Sequence, residues 1–314
     1  MRDRSRSPAS GQVDAGPELS RRELIRSGAA LTGASLLSLG GLGCGPPELK
    51  EPRSWVWTGA LAPRSVRLHA RAVGVAEPVL TLASAASPSS AVRVDPEAVG
   101  ASGVARFVLP ALTPGMTYLY EVGGMIGHFR TPLAGPSSHR IAFGSCADTR
   151  SDHPVFDAIV DRDPLFFLHL GDLHYRDIDE NDRTRFLRAY DEALSTPAQA
   201  RFFRQVPVEY VWDDHDFGPN DADRTADGLQ AASSAFREVV PHHPLALPGA
   251  TAPVGRAFSV GRVRYILTDL RAGRSPRDVS NPTMLGRAQK AWLLAELSSA
   301  RRSHALVIWV RPVP

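Results

Sequence analysis

The sequence predicts a mixed α/β protein in which a small β-sandwich precedes an α/β domain built on a parallel sheet. Two patterns along the chain indicate this organisation. Residues 46–135 carry about seven short apolar or alternating runs separated by Pro, Gly, Ser and Asp, which is typical of antiparallel sandwich strands. From His139 onward, apolar runs alternate with segments of helical periodicity, and this alternation favours a parallel sheet with crossover helices.

A turn motif near the end of the first region resembles that of a known class of sandwiches. The predicted strands are residues 54–58, 65–73, 78–83, 91–94, 105–109, 117–122 and 127–130. Residues 112–120 (LTPGMTYLY) are similar to the Leu-x-Pro-Gly-x-x-Tyr-x-Tyr strand entry of fibronectin type III-like domains. The resemblance implies a fibronectin III-like β-sandwich over residues 44–135, in which a corner tyrosine hydrogen-bonds back to the chain, so Tyr118 and Tyr120 are expected to be structural.

The second domain is predicted over residues 136–314 and begins with three strands that alternate with helices. We expect strands at 140–144, 165–170 and 208–212, and helices at 154–161, 182–194 and 197–204. Polar side chains that can bind metal ions follow each of these strands. They are, in chain order, Cys146, Asp148, Asp172, Tyr175, Asp213, Asp214 and His215.

These polar groups are expected to meet at one edge of the sheet, because ligands of open α/β sheets bind beyond the carboxyl ends of the strands. Several carboxylates brought together there would repel one another unless cations neutralise them. A dinuclear metal centre, which can clamp a phosphoryl group and activate water, is the simplest resolution. The alternative is that these residues have purely structural roles, since Gly-Asp after a strand is often only a turn and a lone Cys is often a buried core residue.

Five segments resemble, in order and spacing, the motifs of the alkaline phosphatase D (PhoD-like) family of calcineurin-like metallophosphoesterases. They are residues 143–148 (FGSCAD), 169–175 (HLGDLHY), 212–220 (WDDHDFGPN), 268–271 (TDLR) and 285–293 (LGRAQKAWL). The resemblance extends through the preceding sandwich to Trp309. It implies a sandwich followed by a partial calcineurin-like α/β metallophosphoesterase domain.

The same resemblance implies roles for individual residues. Cys146 and Tyr175 would bind Fe³⁺, and Asp172 would bridge this ion to a Ca²⁺ ion. The ligand types agree with these metals, since thiolate and phenolate suit Fe³⁺ and oxygen ligands suit Ca²⁺. Asp214 stands where the wider superfamily has a ligand Asn, and His215 would protonate the leaving group or stabilise developing charge.

Other residues of the motifs have weaker assignments. Asp148 and Asn220 are further candidate metal ligands. Arg271 could bind the phosphate bidentately, or it could be an ordinary surface arginine after a strand. His174 and the pair His242-His243 are expected to be structural or on the surface.

The first 43 residues have the pattern of an export signal. Arg21 and Arg22 precede a charge-free run that extends to Gly43, and adjacent arginines in this position are typical of substrates of the twin-arginine translocation machinery. Residues 42–45 resemble a lipoprotein cleavage site, so that Cys44 would be acylated and anchor the protein to a membrane. The alternatives are an amphipathic helix of a cytoplasmic protein and ordinary cleavage near an incidental cysteine. We expect an exported protein, periplasmic or at the cell surface.

Net charge gives no support for nucleic-acid binding. The formal charge of the chain is +3, but residues 1–43 hold six Arg against four acidic residues and so contribute +2 of it. Only about +1 remains for residues 44–314, whereas a nucleic-acid footprint needs clustered excess positive charge.

The function predicted from these patterns is an exported metal-dependent phosphoric ester hydrolase, a phosphomonoesterase or phosphodiesterase. In the superfamily, further ligands lie on downstream Gly-Asp-x-His or Gly-His-x-His motifs, and no His follows His304 here. We therefore expect the C-terminal half of the domain to be missing and the chain as written to have little activity and poor solubility. The alternatives are a genuinely short, non-catalytic exported lipoprotein that binds metal or phosphate, and an adhesion protein that uses mainly the sandwich.

Replacing both Arg21 and Arg22 by Lys is expected to abolish export, because the twin-arginine route requires the arginines and not merely their charge. The measurement is the distribution of the variant between cytoplasmic and exported fractions. Unaltered export of the double variant would exclude this route.

Overall fold

The computed structural model of the chain describes residues 51–312. The export signal predicted around Arg21 and Arg22 and the lipidation site predicted at Cys44 lie outside the described residues. Residues 51–312 all belong to one compact unit. No helix in this range is both long enough and apolar enough to cross a membrane.

The first part of the fold consists of two four-stranded antiparallel sheets. Their strands are β1 Trp55–Ala62, β2 Ser65–Arg71, β3 Leu80–Ser84, β4 Ser87–Val94, β5 Ala98–Val99, β6 Val104–Leu109, β7 Thr117–Val122 and β8 Met125–Arg130. One sheet has the order β1-β2-β6-β5 and the other β4-β3-β7-β8. Inward-facing residues of both sheets, such as Phe107 and Phe129, share one core. The sequence pattern missed β5, because a two-residue strand is too short to produce an alternation.

Tyr118 of β7 ties the loop between β6 and β7 to its own strand. Its hydroxyl accepts a hydrogen bond of 2.8 Å from the backbone N–H of Thr113, and its ring stacks on Phe129 with centroids 5.5 Å apart. The structural role predicted for Tyr118 is therefore confirmed.

The second part of the fold contains six strands and six helices within the described residues. The strands are β9 Ile141–Gly144, β10 Phe166–His169, β11 Val208–Tyr210, β12 Arg256–Val260, β13 Val263–Leu267 and β14 Leu306–Val310. The helices are α1 Val155–Val160, α2 Arg183–Ser195, α3 Pro197–Gln205, α4 Asp214–Phe217, α5 Leu229–Val239 and α6 Gly286–Ser303. Strands β9, β10 and β11 form the expected parallel sheet, in the order β11-β10-β9.

A second sheet, in the order β12-β13-β14, packs on the first. Strands β12 and β13 are antiparallel, whereas β13 and β14 are parallel. Phe166 of β10 meets Phe258 and Tyr265 edge-on, with ring centroids 5.7 and 5.2 Å apart. Apolar contacts between the two sheets therefore fix β10, whose carboxyl end leads into the predicted site.

Strand β1 joins the two parts of the fold because it is buried on both faces. Val56 lies in the sandwich core, while Trp55 and Trp57 lie in the core formed with the helices. The indole of Trp55 donates to Asp191 of α2 (2.7 Å), and that of Trp57 donates to the carbonyl of Val239 at the end of α5 (2.9 Å).

A buried carboxylate on β11 adds a polar link between the same parts. Glu209 accepts a hydrogen bond of 3.2 Å from the backbone N–H of Leu61, and it lies 3.3 Å from His243 and 3.7 Å from Arg256. Although burial opposes ionisation, these partners hold the pKa of Glu209 below its ordinary value. The strand that precedes Asp213 and Asp214 is thus anchored to the sandwich through a hydrogen bond as well as packing.

Replacing Trp57 by Ala is expected to lower the free energy of unfolding by about 3–5 kcal/mol, because its side chain is fully buried and its N–H satisfies a buried carbonyl. The matched control is Ile126→Ala, since Ile126 is 71% exposed and should cost no more than about 0.5 kcal/mol. Urea unfolding followed by circular dichroism measures both. Similar losses for the two variants would contradict the linking role of β1.

Candidate metal centre

The loops after β9 and β10 meet at one carboxylate oxygen. Oδ2 of Asp172 accepts hydrogen bonds from the thiol of Cys146 (3.3 Å) and from the hydroxyl of Tyr175 (3.2 Å). Cys146 is exposed as a residue, yet its thiol is directed at this carboxylate. Two of the three strand ends are therefore in direct contact.

The loop after β11 completes the cluster. Asp172, Asp214 and His215 each offer one ligand atom, and these atoms lie within 4.8 Å of one another. The convergence expected from the strand–helix alternation is therefore confirmed for Cys146, Asp172 and Asp214. Their roles as metal ligands remain predictions.

The donor set of the cluster fits a cation. Oδ1 of Asp172 is buried and has no hydrogen-bond partner among the described residues, which is costly for a carboxylate oxygen unless a positive charge satisfies it. Burial, together with the neighbouring Asp172, raises the pKa of Cys146 and of Tyr175 above their ordinary values. Without a cation these two groups are protonated donors, and a bound cation would displace their protons.

The backbone at this edge of the sheet is tightly constrained. Gly171 has a φ of 92°, and a Cβ on it would lie 2.4 Å from the Cβ of Asp213. Cys146 and Asp172 also have positive φ angles, of 61° and 54°. The N–H of Cys146 donates to the carbonyl of Gly171 (3.3 Å), so the loops approach one another through backbone atoms. Only glycine leaves room at position 171 for this approach.

His215 is oriented by a carboxylate that the sequence patterns did not single out. Its Nδ1 is hydrogen-bonded to Asp177, and its ring centroid lies 4.5 Å from that of Tyr175. Burial opposes protonation, but Asp177 and the carboxylates of Asp172 and Asp214 raise the pKa of His215 above its ordinary value. Asp177 lies in an irregular segment 38 residues before His215, and only the fold brings the two together.

Comparison with known proteins identifies the family of this chain. A family model described as PhoD-like phosphatase matches residues 141–310, which is more than half of the chain. The chain belongs to the PhoD-like phosphatase family. No curated protein matches it.

Two solved structures share the fold of this family member. The structure of PhoD is 18% identical, with a TM-score of 0.65 over 84% of this chain and 63% of that chain. Purple acid phosphatase PPD1 from yellow lupin (Lupinus luteus) seeds is 14% identical, with a TM-score of 0.54 over 82% of this chain and 50% of that one. The present chain thus spans less than two thirds of the length of either structure.

Arg271 of this PhoD-like chain is not a surface arginine, which corrects one of the two alternatives for it. Its side chain is buried, and its Nε donates to Asp213 (2.6 Å) while a terminal nitrogen lies 3.5 Å from Asp214. Burial raises the pKa of Asp213, and Arg271 opposes that shift. Arg271 therefore compensates the acidic charge at the site, and its contact with phosphate remains a prediction.

The two weaker ligand candidates, Asp148 and Asn220, are exposed and have other hydrogen-bond partners. Asp148 is exposed, and its carboxylate accepts from the backbone N–H of Arg150 (2.9 Å). The exposed Asn220 donates only a long hydrogen bond of 3.4 Å to Asp221, whose own N–H donates to Oδ2 of Asp214 (2.6 Å). The backbone of the residue after Asn220 thus donates a hydrogen bond to Asp214.

His174, His242 and His243 have structural surroundings. His174 is fully buried edge-to-face against Tyr190, and burial lowers its pKa to about 3. His242 stacks on Phe236, and His243 stacks on Phe258. These contacts agree with the expectation that the three histidines are structural.

Replacing Gly171 by Ala is expected to destabilise the protein more than the same change at Gly124. Both residues have positive φ, which costs an Ala about 1–2 kcal/mol, but a Cβ on Gly124 would meet no atom within 4 Å. The clash with Asp213 should cost Gly171→Ala about 1–3 kcal/mol more. Urea unfolding of both variants measures the difference. Equal losses would show that the two loops can separate without penalty.

Proposed function

We propose that this chain is a metal-dependent phosphoric ester hydrolase. The observation that carries the proposal is Asp172: its Oδ2 accepts from a thiol and a phenol, its ligand atom lies close to those of Asp214 and His215, and its Oδ1 is buried without a partner among the described residues. Membership of the PhoD-like phosphatase family supports phosphate esters as the substrate class.

The ligand chemistry supports two unlike cations. Cys146 and Tyr175 would hold Fe³⁺, Asp172 would bridge, and Asp214 would contribute to a Ca²⁺ site. When bound, such a pair of cations clamps a phosphoryl group and activates a water molecule for attack. Arg271 lies beside Asp213 and Asp214, where its guanidinium limits the repulsion between the acidic groups.

His215 is the candidate for proton transfer to the leaving group. Because Nδ1 is hydrogen-bonded to Asp177, the ring is oriented and Nε2 is the nitrogen that can face a substrate. The raised pKa of His215 favours the protonated form, which can donate to a departing oxygen. Asp177 therefore acts as a positioning residue for His215 in this proposal.

The substrate is a monoester or a diester, and the choice between them depends on the pocket and not on the fold. We place the activity outside the cytoplasm, because Arg21 and Arg22 precede a short apolar run in the manner of a twin-arginine signal. A lipid on Cys44 would hold the enzyme at a membrane surface.

The sequence pattern predicts little activity for the chain as written, whereas the proposed function predicts that purified protein supplied with Fe³⁺ and Ca²⁺ hydrolyses aryl phosphate mono- or diesters. The assay decides between them, and a chelator should remove any such activity. Asp172→Ala should lower turnover at least about 100-fold, because this carboxylate would serve both cations. Asp157→Ala is the control, since Asp157 is exposed and pairs only with Arg201 on the surface.

Turnover that survives the chelator or the Asp172 substitution would contradict the proposal. Metal binding without any turnover would favour the non-catalytic alternative. The rates are measured by release of the coloured aryl alcohol at saturating substrate.

A further inference from the structure

A third carboxylate of the loop after β11 lies behind the cluster. Asp216 is in α4, two residues after Asp214, and only 1% of its surface is exposed. Its carboxylate does not belong to the close group formed by the ligand atoms of Asp172, Asp214 and His215. A buried carboxylate without a cation partner needs hydrogen-bond donors. The groups that donate to Asp216 therefore indicate its role.

The donors are four backbone N–H groups from two different loops. Oδ2 of Asp216 accepts from Asp172 (2.6 Å) and Asp213 (3.0 Å), and Oδ1 accepts from Leu173 (2.7 Å) and His174 (3.1 Å). Each oxygen therefore binds two donors. An ionised carboxylate has about four acceptor positions, so none remains for a metal ion.

Three of these donors are successive residues of the loop that carries Asp172. The backbone of Asp172 has a φ of 54°, a left-handed conformation that costs a non-glycine residue about 1–2 kcal/mol. Asp216 offsets that cost by accepting the three successive N–H groups, which the parallel sheet does not use. The direction of the Asp172 side chain is thus fixed from the backbone.

The fourth donor belongs to the other loop. By accepting from Asp213, Asp216 holds the start of α4, and Asp214 is the next residue. One carboxylate therefore links the backbone of Asp172 to that of Asp213, the residue before Asp214, and so limits how far the two acids can separate. Repulsion between these two acids would otherwise tend to separate them when no cation is bound.

We infer that Asp216 is a positioning residue that holds Asp172 and Asp214 at ligating separation before the metal arrives. This inference rests on the proposed metal-dependent function. Outer-shell partners that orient metal ligands contribute about 10–100-fold to metal affinity, and backbone amides gathered by Asp216 are such partners.

The test compares Mn²⁺ binding to metal-free full-length protein and to its Asp216→Asn variant, by electron paramagnetic resonance of the free ion. Asn has nearly the same shape, but its NH₂ group would face two N–H donors. We expect Mn²⁺ affinity to fall about 10–100-fold. The matched control is Asp191→Asn, since Asp191 is also 1% exposed but is bonded to Trp55 and Arg71 instead of the site loops. It should lose stability and keep its Mn²⁺ affinity.

A second measurement covers the case in which Asp216→Asn does not fold. Hydrogen exchange of the metal-free wild-type protein should show the amides of residues 172–174 protected as strongly as those of β10. Fast exchange that slows only when Mn²⁺ is added would overturn the inference, because the loop would then be ordered by the metal.

The outcomes separate the inference from the proposed function. Equal Mn²⁺ affinity of wild type and a folded Asp216→Asn variant would overturn the positioning role and leave the proposed metal centre intact. A wild-type protein that binds no Mn²⁺, Fe³⁺ or Ca²⁺ would overturn both.

Discussion

The close approach of the loops after β10 and β11 is the constraint on which the candidate centre depends. At position 171 the two backbones are too near for any side chain, so Asp172 and Asp214 are brought together by contact between main-chain atoms. The fold accepts left-handed backbone at Asp172 and Cys146 as a consequence. Local conformation that is unfavourable in isolation persists where surrounding contacts determine it, and such places are commonly functional.

The electrostatic balance at the centre has two sources. Arg271 is buried beside Asp213 and Asp214 and contributes a permanent positive charge. The protonated thiol of Cys146 and the protonated phenol of Tyr175 donate hydrogen bonds to Asp172. The permanent charge offsets the two acids of the loop after β11 whether or not a cation is bound, whereas the protons can leave when a cation enters. This division explains how three acidic residues lie in one small region of a folded chain.

The sequence was sufficient to predict the residues that lie at strand ends, because each follows a local apolar run whose direction the parallel sheet fixes. Cys146, Asp172 and Asp214 were found in this way. Asp177 could not be found, since it lies in an irregular segment and its contact with His215 exists only in the folded chain. The pairing of Arg271 was missed for the same reason, because nothing in a Thr-Asp-Leu-Arg segment indicates burial. Strands β12 and β13 were not predicted from the sequence either.

The contacts of strand β1 also restrict how this chain can evolve. The sequence patterns divide near residue 135, but the indoles of Trp55 and Trp57 donate to groups on α2 and α5 far beyond that point. A recombination event that joined residues 136–314 to a different N-terminal module would leave Asp191 and the carbonyl of Val239 without these donors. It would also uncover the apolar surface that both rings fill. The sandwich and the PhoD-like part are therefore expected to be inherited as a pair, with variation arising in loops and not by exchange of modules.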